Sequence, residues 1–159
     1  MAHLRTSAIA TAVIAAGALA ASAAAGLGQS ASGTISSQRA GTRPVTLTLK
    51  LGYEMQCGYP GPGPVVVTFP AAWRLPAKFG MTPVLVDGKA AVSASLSGHS
   101  VKVGLAPEPK IMCDVIGPGT LTIQFTRGDD IGAPLSAGTS VVTAQAKGQL
   151  FRISFAFSS

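Results

Sequence analysis

The chain has 159 residues, enough for one domain that buries a core even if a leading segment is removed. Hydrophobic residues make up 47% and charged residues 11%, a balance that excludes a disordered chain. The formal net charge is +6, yet the basic residues from Arg39 to Arg152 are scattered singly and no aromatics interleave with them, which argues against a nucleic-acid groove.

In chain order, residues 1–25 read as a secretory signal peptide. Arg5 lies in a short polar start, Ala8 to Leu19 form an apolar run, and Ala21-Ser22-Ala23 and Ala23-Ala24-Ala25 are small-x-small cleavage patterns. The rival reading is an uncleaved anchor, because Ala8 to Leu27 approaches the roughly 20 apolar residues that span a bilayer; its alanine richness weakens that reading. With cleavage, no stable membrane insertion is expected. Without Arg5, 11 basic residues face 6 acidic ones, a net charge of +5 that suits an anionic cell envelope or simple solubility. Residues 26–42 are Gly, Ser, Ala, Gln and Thr with hardly any large apolar side chain, a flexible-linker composition. The folded domain is expected over 43–159.

From there the periodicity is that of strands. Val45, Leu47, Leu49 and Leu51 alternate with polar residues, Val65, Val67 and Phe69 follow a Gly-Pro loop, and Leu121, Ile123 and Phe125 alternate with Thr122 and Gln124. Between Val84-Leu85-Val86 and Lys89-Ala90, Asp87-Gly88 is a type I′ hairpin signal, since both residues tolerate positive φ. Ser97-Gly98 and Gly148-Gln149 mark further tight turns, the latter joining Ser140–Lys147 to a last strand with Phe151, Ile153, Phe155 and Phe157 on one face. About eight short strands are expected, in an all-β, antiparallel, immunoglobulin-like sandwich with a Greek key.

Cys57 and Cys113 are the only two cysteines, and both lie beyond the signal segment. Each begins a Cys-x3-Gly-Pro-Gly stretch that leads to a phenylalanine twelve residues on, Phe69 and Phe125. In an exported chain an intramolecular disulfide is expected, worth about 4 kcal/mol in the chain-entropy account; free thiols or a bond to another chain are the alternatives. The bridge would put the loops before Val65–Phe69 and Thr120–Phe125 at one end of the molecule, so those strands would run the same way, one in each sheet.

The order Val65-Val-Val-Thr-Phe-Pro-Ala-Ala-Trp-Arg-Leu-Pro76, Val84-Leu-Val-Asp-Gly88, Val101-Lys-Val-Gly-Leu105, Gly119-Thr-Leu-Thr-Ile-Gln-Phe125 and Ile131-Gly-Ala-Pro-Leu-Ser-Ala-Gly-Thr139 resembles immunoglobulin-like repeat modules of bacterial cell-surface and S-layer-associated proteins. It departs from them in having Ala133 for Asn, Ser140 for Tyr, and a cysteine pair. The resemblance implies an extracellular sandwich with a spacing, scaffolding or adhesive role and no catalytic residue.

Chemistry-bearing residues are few. His99 is the only histidine past the signal segment, no Gly-x-Ser-x-Gly elbow accompanies it, and it reads as a turn residue. One histidine and a cysteine pair do not make a usual zinc site. Arg127-Gly-Asp-Asp130 reads first as a turn, and only second as part of a calcium site or an Arg-Gly-Asp recognition triplet. Tyr59, Trp73 and Arg74 are the binding candidates: Tyr59 in a surface loop, and Trp73 either as an exposed platform or as a lid over one end of the sandwich. No cofactor, metal or catalytic residue is expected. The expected function is a secreted, non-enzymatic module that binds an envelope polymer or an extracellular protein. A small secreted hydrolase, or an inhibitor or effector presenting its Gly-Pro loops, is the alternative.

Overall fold

The computed structural model describes residues 30–54, 63–79, 84–106, 118–146 and 148–159. Within them the chain is all-β, with one short 3₁₀ turn at Arg127–Asp129. The strands are β1 (Ser30–Ile35), β2 (Leu47–Glu54), β3 (Val65–Thr68), β4 (Leu85–Val86), β5 (Lys89–Ala90), β6 (Ser93–Ser97), β7 (Ser100–Gly104), β8 (Pro118–Phe125), β9 (Gly138–Ala146) and β10 (Gln149–Phe157). They form two five-stranded antiparallel sheets, ordered β1-β2-β8-β4-β5 and β10-β9-β3-β7-β6.

The inward residues of the alternating strands meet between the sheets. Leu47, Leu49 and Leu51 of β2, Val65 and Val67 of β3, Ile123 and Phe125 of β8, and Ile153 of β10 are all 0% exposed. Their polar neighbours face water, as a period of two requires. Phe151, Phe155 and Phe157 join them from β10, so the last strand supplies much of the core.

The Asp87-Gly88 hairpin has the expected form: φ is 49° at Asp87 and 77° at Gly88, positive at both central residues. The β6–β7 turn is offset by one residue from Ser97-Gly98, because Ser97 pairs with Ser100 and Gly98-His99 are central. Only the first of these, Gly98, is at positive φ, the pattern of a II′ turn. In the last hairpin Ala146 pairs with Gln149, and Gly148, at φ 74°, lies inside the turn.

Residues 30–42 correct the linker expectation. Ser30–Ile35 pair with Gly52–Leu47 over six residues, and Arg39 bridges Ser158 in parallel. Gly41 N donates to the Pro134 carbonyl at 2.7 Å, and Thr42 O accepts from Ala133 N at 2.9 Å. Backbone bonds and close packing hold this segment, so its lack of large side chains is no sign of flexibility. A Cβ at Gly33 would lie 2.5 Å from Phe155 Cζ and 2.7 Å from Ile153 Cγ2, so only a bare backbone fits against β10.

Gly33 over Ile153 and Phe155, and Arg39 beside Ser158, give β1 and β10 the same direction. Counting antiparallel steps from each, β8 and β3 then also run the same way, one in each sheet. Cys57 and Cys113 lie outside the described residues.

Candidate functional site

Trp73 is 2% exposed, which corrects its reading as an exposed platform. The chain leaves β3 through Phe69-Pro70, and Trp73 N donates back to the Pro70 carbonyl at 3.0 Å, a tight turn that throws the indole inward. There it meets Phe155 and Phe157 edge-on, with centroids 6.0 and 5.5 Å away, and Phe69 at 5.4 Å. Indole Nε1 donates to Ser140 Oγ at 2.8 Å, satisfying the one polar atom that burial would otherwise strand. Trp73 therefore closes one end of the sandwich.

Above this aromatic cluster lies an open groove of about 360 Å³. It is lined by Pro70, Ala72, Pro134, residues 136–141 and Phe157. Its polar groups are the hydroxyls of Ser136, Thr139 and Ser140 together with backbone, and no charged side chain lines it. Leu135, 69% exposed, stands beside the lining residues. Such a surface suits an uncharged ligand that offers both apolar edges and hydrogen-bonding groups.

Arg74, the other candidate beside it, is a clamp. Its backbone pairs in both directions with Gly132, N to O at 3.1 Å and O to N at 2.8 Å, and its guanidinium donates to the Gly41 carbonyl. Gly132 is close enough that a Cβ would come within 3.0 Å of Arg74 Nε. The side chain thus ties the 39–43 segment to the 131–134 segment through Nη2, while its buried Nε has no partner among the described residues.

The acidic pair splits into two structural roles. Asp129 is 0% exposed; its Oδ2 accepts from Thr126 N at 2.6 Å and from Thr126 Oγ1 at 3.2 Å, holding the end of β8 as it enters the 3₁₀ turn. Burial pushes its carboxyl above the ordinary aspartate value, with the Thr126 bonds opposing. Asp130, at φ 52°, faces water and takes Arg43 in a fork: Nε to Oδ1 at 2.9 Å and Nη2 to Oδ2 at 2.6 Å. Arg43 holds the Asp130 carboxyl below its usual range, and Asp130 raises Arg43 in return. Asp130 is taken up by Arg43, and Asp129 is turned inward with its Oδ1 buried and unpartnered among the described residues, so neither the Arg-Gly-Asp triplet nor a calcium site is presented here.

His99 is exposed in the β6–β7 turn, where its carbonyl accepts from Phe69 N at 2.9 Å. Among the described residues no three His, Cys, Asp or Glu side chains gather as a metal cluster would require, and no helix is long and apolar enough to cross a membrane. Tyr59 lies outside the described residues. The Trp73–Ser140 and Arg43–Asp130 bonds join residues 67 and 87 positions apart, and no local signal announces them. Thr126-x-x-Asp129 did carry one, the spacing of a capping box.

No family model matches the chain, and no curated protein does.

Proposed function

We propose that the protein is a secreted, non-enzymatic module that binds at the bacterial cell surface, with an immunoglobulin-like sandwich as its frame and an adhesive or structural role. The observation that carries this reading is the uncharged groove lined by Pro70, Pro134, residues 136–141 and Phe157, a concave surface beside the buried Trp73 cluster. An envelope polymer rich in hydroxyl and amide groups matches its mixture of proline, phenylalanine and hydroxyl lining.

The immunoglobulin-like frame draws support from the strand orders. β1-β2-β8 and β10-β9-β3 follow the A-B-E and G-F-C ladders of that architecture, with short hairpins extending one edge of each sheet. Export draws support from the leader pattern of residues 1–25 and from the cysteine usage.

The test is retention on isolated cell envelopes by cosedimentation. Ala137→Trp should fill the groove and Leu135→Asp should charge its rim; each is exposed, so thermal unfolding should be unchanged. Retention should fall by about tenfold in both, the size expected from blocking an anchor pocket. Retention equal to the unsubstituted chain in both variants would remove the groove from the function. Tyr59→Ala, run beside them, separates a loop contribution from that of the groove.

A further inference from the structure

The second sheet ends at β6, whose five residues Ser93-Ala-Ser-Leu-Ser97 carry no charge and no proline. Proteins commonly blunt such an edge with lysine, proline or a covering segment, because its outer N–H and C=O groups are a template for another strand. Among the described residues nothing pairs with the outer side of β6.

Which groups face outward follows from register. Ser97 and Ser100 flank a two-residue turn, so they form a hydrogen-bonded pair, as do Ser95 with Lys102 and Ser93 with Gly104. The bond from Phe69 N to the His99 carbonyl agrees, since it places the alternate residues of β7 toward β3. Ala94 and Leu96 therefore turn both backbone groups away from the sheet.

We infer that β6 is a self-association edge, pairing antiparallel with β6 of a second copy about a two-fold axis through Ser95. In that register Ala94 faces the partner's Leu96 and Leu96 the partner's Ala94, so each pair exchanges two backbone bonds and sets a large side chain against a small one. Ser93 faces the partner's Ser97 and Ser95 the partner's Ser95 on the solvent side. Lys102 is the charged residue paired with β6 on β7, and in the dimer the two Lys102 residues stand three strand spacings apart, about 14 Å, beyond the roughly 8 Å screening length of physiological salt. Self-pairing thus continues the sheet to ten strands with no like charges in contact. The contact is small, so the dimer is weak and concentration-dependent.

Sedimentation equilibrium of the full chain across a concentration series tests this. The expected result is a reversible monomer–dimer equilibrium. Ala94→Pro removes one outward donor per copy, a change tolerated at an edge, and should weaken the dimer about thirtyfold. Ser95→Asp puts two carboxylates opposite each other and should weaken it about fivefold. Ser95→Cys should yield an oxidised covalent dimer that Ser93→Cys and the unsubstituted chain do not, because only position 95 meets itself, at a Cα separation of about 4.5 Å. A monomer at every concentration, a dimer indifferent to Ser95→Asp and Ala94→Pro, or equal crosslinking through positions 93 and 95 would each overturn the proposal.

Discussion

Asp129 and Asp130 are neighbours in sequence and opposites in electrostatics. For Asp129 the folded carboxyl sits above its ordinary value, so its contribution to stability is full at low pH and is lost as pH rises through the raised value. For Asp130 the folded value is depressed, so its contribution is present above the ordinary aspartate value and is lost as pH falls through the depressed one. Asp129→Asn keeps an acceptor for Thr126 N and abolishes the buried charge. Its unfolding free energy relative to the unsubstituted chain should rise with pH just above the ordinary aspartate value; a difference flat with pH across that range would mean that Asp129 is not strained by burial. Asp129→Ala strands the Thr126 N–H as well and should cost about 1–3 kcal/mol. Ser140→Ala is the parallel test at Trp73, since it leaves a buried indole N–H unpaired and should cost a similar amount in chemical denaturation. The sequence left Trp73 open between platform and lid because a tryptophan between two prolines has no periodicity to orient it. Its orientation is set by partners on β9 and β10, more than sixty residues away, Ser140 and the two phenylalanines.

Strands whose apolar residues alternate were legible from sequence, and β1 was not. Ser-Ala-Ser-Gly-Thr-Ile reads like a tether because it buries almost nothing of its own: Ala31 is its only buried residue. What holds β1 is six backbone pairings to β2 and the gap at Gly33 that lets it lie against Phe155 and Ile153. Gly33→Ala separates these views. In a tether it would be neutral or slightly stabilising. In the packed strand its Cβ collides with β10 and should cost about 1–3 kcal/mol, with Ser30–Ile35 amides losing hydrogen-exchange protection before the rest of the sheet. The β4–β5 hairpin makes a second prediction. Asp87 holds a positive φ, and its Oδ1 accepts from Thr122 N at 2.8 Å while its own N–H donates to Thr122 O at 2.8 Å, stitching the turn to β8. Asp87→Ala loses the side-chain acceptor and a residue type suited to that backbone, and should release β4 and β5 from β8 while β2–β8 pairing persists. Unchanged exchange at Val86 and Thr122 would deny that role.

β2 stops and β8 starts at the same end of one sheet. Glu54 pairs directly with Pro118, so the segment that carries Cys57 leaves, and the segment that carries Cys113 returns, at neighbouring points of one sheet. Cys57 is three residues beyond Glu54 and Cys113 five before Pro118, short spans for a chain that can cover about 3.3–3.6 Å per residue. Spans that short allow the expected Cys57–Cys113 bond. A Cys57–Cys113 bond would restrict the unfolded chain over that loop and should stabilise the fold by about 4 kcal/mol. Intact mass after alkylation, with and without prior reduction, reads the bond directly: no alkyl group before reduction and two after it are expected. Chemical denaturation of the reduced chain, and of Cys57→Ser with Cys113→Ser, should then show matching losses. Two groups added before reduction would make the cysteines free thiols and leave the fold without that restriction of the unfolded chain. A lowered midpoint in the reduced chain but not in the double variant would instead trace the effect to thiol chemistry, since removing both sulfurs also removes any restriction of the unfolded state.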